Sequence, residues 1–163
     1  MNAIEFLEQQ HRAVEQLFSR FENAGERAKK TRQQMCRQIS DQLAIHAEIE
    51  EKIFYPATKD ARTEEVLLEA VEEHLAVKRI IADLVEDEPE DEVLAAKMKV
   101  LKEQVLHHVE EEEKELFPKV RKLLDDAQLD ELGEQMEQLA EELEEKGDAR
   151  RDVPGQTDSP API

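Results

Sequence analysis

The stretch HAEIEEKIFYP, residues 46–56, decides how this chain is read, because HVEEEEKELFP, residues 108–118, aligns with it without a gap. Each opens on a His, carries a Glu four residues later, a second Glu at five and a Lys at six, and closes on an aromatic residue followed by Pro. Four residues of α-helix rotate by about 400°, so the His and first Glu of each stretch share a face one turn apart. A helix that only packs has little need to repeat these residue types at fixed offsets. A metal site does.

Outward from the two stretches the chain carries apolar stripes at helical steps of three and four. Ile4, Leu7, Val14, Phe18 and Phe21 predict a helix over 3–24, ended by the polar run from Gly25 to Thr31. Met35, Ile39, Leu43 and Ile53 predict a second from about 30 to 60. Thr63 then caps a third, on Leu67, Ala70, Val77, Ile81 and Leu84, reaching about 86. The acidic connection 87–91 contains Pro89, and a fourth helix on Leu94, Met98, Leu101 and Val105 runs to about 125. Pro56 and Pro118 fall inside periodic runs, where each loses an N–H and meets the carbonyl four residues back, so a kink with continuation is expected.

A fifth amphipathic segment, 126–147, follows on Leu129, Leu132, Met136, Leu139 and Leu143. Residues 148–163 are Pro-rich, lack periodicity and read as a disordered tail without bearing on the site. The expected fold is all-α: an up-down-up-down antiparallel four-helix bundle over 1–125, a shorter C-terminal helix over 126–147, and the tail. The fifth helix is expected to pack across a side or end of the bundle, or else to form a homodimer through its leucine stripe.

The polar residues fall on these stripes. His11 lies four after Leu7 and three before Val14; His74 lies four after Ala70 and three before Val77. His46 and His108 follow Leu43 and Val105 by three, with Glu50 and Glu112 one turn further on. Each bundle helix thus turns one imidazole inward, and two add a carboxylate. His11 and His46 are separated by 35 residues, His74 and His108 by 34, so the chain reads as two copies of one helical hairpin. HRAVEQL at 11–17 against HLAVKRI at 74–80 extends the match weakly.

A single inward His is more often a hydrogen-bonded core residue than a ligand, and Glu50 and Glu112 each sit in an acidic run of the kind that usually marks a solvated face. Four inward His on four helices are another matter, since a buried polar group without a partner costs about 1–3 kcal/mol. A metal supplies the compensation. His107, about 100° around from His108, points sideways or outward. Four nitrogens and two carboxylates exceed one tetrahedral zinc and are too nitrogen-rich for calcium or magnesium. Two ions, each with two His and bridged by both Glu, account for the set; iron suits it best, with manganese or zinc behind.

At His11, His46-x-x-x-Glu50, His74 and His108-x-x-x-Glu112, with the FYP and FP endings, the chain resembles the hemerythrin-like, or HHE cation-binding, family over residues 1–125. The resemblance implies a non-haem di-iron centre bridged by oxygen and carboxylates, with His11, His46, His74 and His108 as terminal ligands and Glu50 and Glu112 as bridges. Oxygen carriers of that family have a further His where this chain has Lys78, and a fourth-helix Asp one residue beyond the place of Glu112. Reversible oxygen carriage is therefore not the expectation. The likeness is to members linked to iron or oxygen sensing, stress, peroxide and nitric oxide.

Composition bounds the rest. A net charge of −19 repels phosphate backbones and anionic lipid, so neither nucleic acid nor membrane is an expected partner. One cysteine, Cys36, permits no intrachain disulfide, and a cytoplasmic location is expected. It lies ten residues before His46 and is not expected to be a ligand. The expected function is binding of O2 or another small diatomic or peroxo ligand for sensing, scavenging or stress response, with an unidentified redox partner. The alternatives are a di-iron peroxidase or oxidase, which an acid or base in the pocket would favour, an iron-handling protein, and a bundle without metal. Tyr55, the one tyrosine, is read as a packing or capping residue first and as a candidate for electron transfer second. Lys78 is expected to snorkel to solvent and Glu113 to stand off the site.

Overall fold

A computed structural model describes residues 1–25 and 27–163. Glu26, inside the polar run expected to end the first helix, lies outside the described residues. Among those described there is no strand. Helix α1 spans Ala3–Asn23 and opens on a capping box in which Asn2 and Glu5 each accept the other's backbone N–H. Helix α2 begins at Lys29–Ile49, passes through a π-helical turn at Glu50–Phe54, and ends in a last α-turn at Tyr55–Ala57. Helix α3 is Glu64–Asp87. Helix α4 repeats the pattern of α2: Asp91–Glu111, a π turn at Glu112–Leu116, then Phe117–Leu123. Helix α5 is Asp126–Lys146, with a second capping box at Asp125 and Gln128.

Both helices continue through their prolines, as the periodicity requires. The irregularity is a π turn just upstream of each ring, where Tyr55 N–H bonds Glu50 O and Phe117 N–H bonds Glu112 O, five residues back. Widening the turn ahead of the ring relieves its clash with the preceding carbonyls. Thr63 stands at the start of α3 but its hydroxyl donates to Thr58 O at 2.7 Å, holding the turn between α2 and α3 rather than capping the helix.

The apolar stripes sort into two clusters. One contains Ile4, Leu7, Ile49, Phe54, Leu67 and Phe117; the other contains Val14, Phe18, Ile39, Leu43, Ile81, Met98 and Val105. Helix α1 runs from the first to the second, α2 back, α3 forward and α4 back. The four alternate in direction, and the inward His and Glu occupy the level between the clusters.

Helix α5 lays its stripe on α1 and α2, with Leu129, Met136 and Ala140 buried. Gly133 permits this contact: a Cβ there would lie 2.3 Å from Met1 O and 2.9 Å from the Asn2 carbonyl carbon, both backbone atoms.

The tail corrects the expectation of disorder over 148–163. Ala149–Gln156 is a 3-10 helix packed on α3 and α2, with Val153 buried in the second cluster. Arg150 reaches back to both Asp41 oxygens at 3.1 and 3.0 Å, and Ala161 and Ile163 rest against the first cluster. Val153, the Arg150–Asp41 pair, and the bonds that Arg79 and Lys59 donate to Thr157 O and Ile163 O hold a segment whose own periodicity signals nothing.

Candidate metal centre

The structure brings all six expected ligands together. His11, His74, His108, Glu50 and Glu112 are buried, and the His46 side chain is 12% exposed. The imidazoles pair by hairpin. His11 and His46 have ring centroids 4.9 Å apart, and His74 and His108 have theirs 4.7 Å apart. The carboxylates lie between the pairs. Glu50 Oε1 is 3.0 Å from His46 Nε2 and 3.2 Å from His74 Nε2; Glu112 Oε1 is 3.2 Å from both His11 Nε2 and His108 Nε2. Each carboxylate therefore touches one imidazole of each pair.

Six buried side-chain nitrogens or oxygens among the described residues have no hydrogen-bond partner, and five belong to this cluster: both His11 nitrogens, His46 Nε2, Glu50 Oε2 and Glu112 Oε1. A folded interior rarely leaves so many donors and acceptors unmet in one place. They suit bound cations, and two groups, His11, His46 and Glu112 and then Glu50, His74 and His108, could each hold one.

Tyr55 joins the site, where packing or capping was the favoured expectation. Its hydroxyl donates to Glu112 Oε2 at 2.9 Å and lies 3.2 and 3.3 Å from His74 Nε2 and His108 Nε2. The π turn places it there. In a regular α-helix the residue five beyond Glu50 would fall about 140° off its face, whereas a turn closed over five residues brings it back. Phe117, the same offset beyond Glu112, stacks on His11 with centroids 6.0 Å apart.

An outer ring of partners fixes the imidazoles. His46 Nδ1 faces Gln10 Oε1 at 2.6 Å, His74 Nδ1 faces Glu51 Oε2 at 2.7 Å, and His108 Nδ1 faces Glu73 Oε1 at 2.9 Å. His11 Nδ1 has Glu113 Oε2 at 3.8 Å, a carboxylate held by Arg12. Lys78 does not snorkel to solvent: it is buried and donates to Glu51 Oε1 at 2.8 Å. Glu113, expected off the site, stands beside His11. His107 is 61% exposed and faces Glu73 and Glu111, as its position on the helix requires. Cys36 lies apart in the second apolar cluster, its thiol pushed up to about 11 by burial.

The electrostatics follow from burial among opposite charges. Burial would raise the Glu50 carboxyl, but His46 and hydrogen bonds from its neighbours hold it well below its ordinary value. Burial would lower His108, but Glu112 and the other carboxylates hold it well above. Burial first, then the charges of Glu112 and Glu50, push the Tyr55 phenol well up, so it keeps its proton.

A cavity of about 300 Å³ opens beside the imidazoles, walled by Val14, Leu43, Val77, Ile81 and Val105, with Gln9, Gln42 and Lys78 among its polar lining. Val153 and Gln156 of the C-terminal 3-10 helix also line it.

Four helices closing on two imidazole pairs with carboxylates between them define a cation-binding bundle. The chain belongs to the hemerythrin HHE cation binding domain family, whose model matches residues 2–120. The crystal structure of a hemerythrin HHE cation binding domain-containing protein from Mycobacterium kansasii superposes with a TM-score of 0.77, covering 90% of this chain and 89% of that one at 24% identity. A protein of Nostoc sp. named DNA nickase is 28% identical over 143 residues, 88% of this chain. The chain spans 38% of that relative's length.

Proposed function

We propose that this chain holds two iron ions between His11, His46, His74, His108, Glu50 and Glu112, and binds O2, peroxide or nitric oxide there in sensing, scavenging or a stress response. The observation that carries the reading is the pair of carboxylates lying between two imidazole pairs, with five polar atoms of the cluster lacking a hydrogen-bond partner. Mixed imidazole and carboxylate donors suit iron before manganese or zinc. When bound, the metal pair supplies redox chemistry and open coordination positions.

The chain's own residues shape what reaches it. The cavity beside the imidazoles, lined by valine, leucine and isoleucine together with glutamines, Lys78, Glu48 and Glu144, has room for a small ligand. Carboxylates Glu51 and Glu73 and the Gln10 amide hold three imidazoles in the tautomer that turns Nε2 inward. The Tyr55 hydroxyl is a proton donor fixed within the site.

That hydroxyl favours a second reading, turnover of peroxide as a peroxidase or oxidase. A phenol hydroxyl within hydrogen-bond reach of the proposed ligand atoms is placed to donate a hydrogen bond to a reacting oxygen.

Among the described residues no helix is long and apolar enough to cross a membrane. Nucleic-acid cleavage is not carried over from the Nostoc relative: most of that protein lies outside the match, and a charge of −19 opposes a phosphate backbone.

The test is metal analysis with an absorption spectrum on protein purified without added metal. Two irons per chain with near-ultraviolet and visible bands are expected. A colourless zinc protein, or iron retained in a Glu50→Ala and Glu112→Ala double variant, would overturn the reading.

A further inference from the structure

The two hairpins repeat their outer partners as well as their ligands, and the repeat is imperfect. The residue just before each first-helix His faces Nδ1 of the second-helix His: Glu73 serves His108, and Gln10 serves His46. The residue five beyond each second-helix His faces Nδ1 of the first-helix His: Glu51 serves His74 at 2.7 Å, whereas Glu113 is 3.8 Å from His11.

At 3.8 Å no hydrogen bond remains. Glu113 is turned to Arg12, while Glu51 keeps both contacts, one oxygen on His74 and the other on Lys78. The aromatic residues differ in the same sense. The hairpin position that carries Tyr55 puts a hydroxyl 3.2 Å from His74, and its counterpart Phe117 offers His11 only a ring face.

We infer that the two metal positions are unequal by construction: the one held by His74 and His108 fills first and holds its ion more tightly than the one held by His11 and His46. Carboxylates within hydrogen-bond distance back both imidazoles of the first pair and neither of the second. A carboxylate accepting the outer N–H raises the donor strength of the imidazole and fixes its ring, effects that a neutral amide reproduces weakly and an empty position not at all. Glu73 also leaves one more negative charge beside the first position than Gln10 leaves beside the second. The weaker position is then the one whose metal exchanges.

This inference rests on the two-metal reading above, and its test separates the two. Chelator-treated full-length protein is titrated with Co²⁺ under argon, following heat and the visible band together. Wild type is expected to take two equivalents in two steps at least tenfold apart in affinity. Glu73→Gln should weaken the first step by about 10–100-fold and leave the second where it was. Gln10→Glu should tighten the second step by about tenfold and draw the two together. That variant removes no existing contact of the core, so it decides the matter even if Glu73→Gln fails to fold.

Two equivalents bound in one step of equal affinity would overturn the inference and leave the two-metal site standing. Fewer than two equivalents would overturn both. Glu73→Gln acting on the second step, or Gln10→Glu on the first, would reverse the assignment and overturn it as well.

Discussion

The Tyr55 hydroxyl and the Glu112 carboxylate, 57 residues apart in sequence, meet at 2.9 Å inside the bundle. This bond ties the last turn of α2 to the inward carboxylate of α4. Replacing Tyr55 with Phe should leave two metals per chain and lower stability by about 1–2 kcal/mol, the usual effect of stranding a buried partner. Thermal melts and metal analysis check this, with the absorption spectrum recorded beside them. A fall to one metal would show that the phenol is itself a ligand.

The carboxylates and the imidazoles should fail differently. Each carboxylate touches both His pairs, so Glu50→Ala or Glu112→Ala should empty both metal positions together. His11→Ala or His74→Ala should leave a protein near one metal per chain. Metal-to-protein ratios after gel filtration separate the two outcomes. Stability should follow occupancy, because metal bound only by the folded bundle adds to its unfolding free energy.

Acidity should act in opposite senses on the metal-free and loaded protein. His108 is raised above its ordinary 6.5, so its contribution to folding is complete below that value and is lost as pH climbs through the raised one. Glu50 is lowered from 4.5, so its contribution is present above 4.5 and is lost as pH falls through the lowered value. Metal-free protein should therefore be most stable between those two ordinary values. Metal requires neutral imidazoles, so the rise in Tm on adding metal should grow from pH 5 to pH 7.5. Paired melts across that range, with and without metal, give both slopes.

The C-terminal segment should matter. Deleting residues 148–163 exposes the cluster that Val153 covers, a burial contributing about 1.5 kcal/mol, and removes the Arg150–Asp41 pair. Tm should fall, and the cavity beside the imidazoles loses part of its wall. An unchanged melt and unchanged metal retention would show that the docking contributes nothing.

The convergence of the four imidazoles and two carboxylates was legible because they obey helical spacing: an inward stripe and an i, i+4 step place His46 with Glu50 and His108 with Glu112 before any tertiary contact is known. The alternating direction of the helices follows from the same stripes. Tyr55 was hidden because its placement depends on one backbone hydrogen bond moving from four residues to five, which leaves no trace in hydrophobic periodicity. Lys78 and Glu113 were misread because position around one helix says nothing about a partner on the next. Glu51 and Glu73 sat in acidic runs, where the solvated reading usually wins, and only the approach of α2 to α3 and of α3 to α4 singles them out. The 3-10 helix escaped notice for a similar reason. Its order comes from Asp41 and the second apolar cluster, more than a hundred residues upstream for the former.

Each π turn stores one residue more than a regular helix would need to carry its aromatic side chain back over the glutamate. Deleting a single residue from 52–54 or 114–116 would let the turn relax into ordinary α-helix, with the aromatic residue still on the glutamate's face four positions on. The same deletion elsewhere in α2 or α4 would swing everything on one side of it by about 100°. Chain length is thus slack at one place per hairpin and rigid everywhere around it. Because the surplus stands at the same offset in both hairpins, just ahead of Pro56 and Pro118, it is a property of the repeated pattern and not of either helix alone.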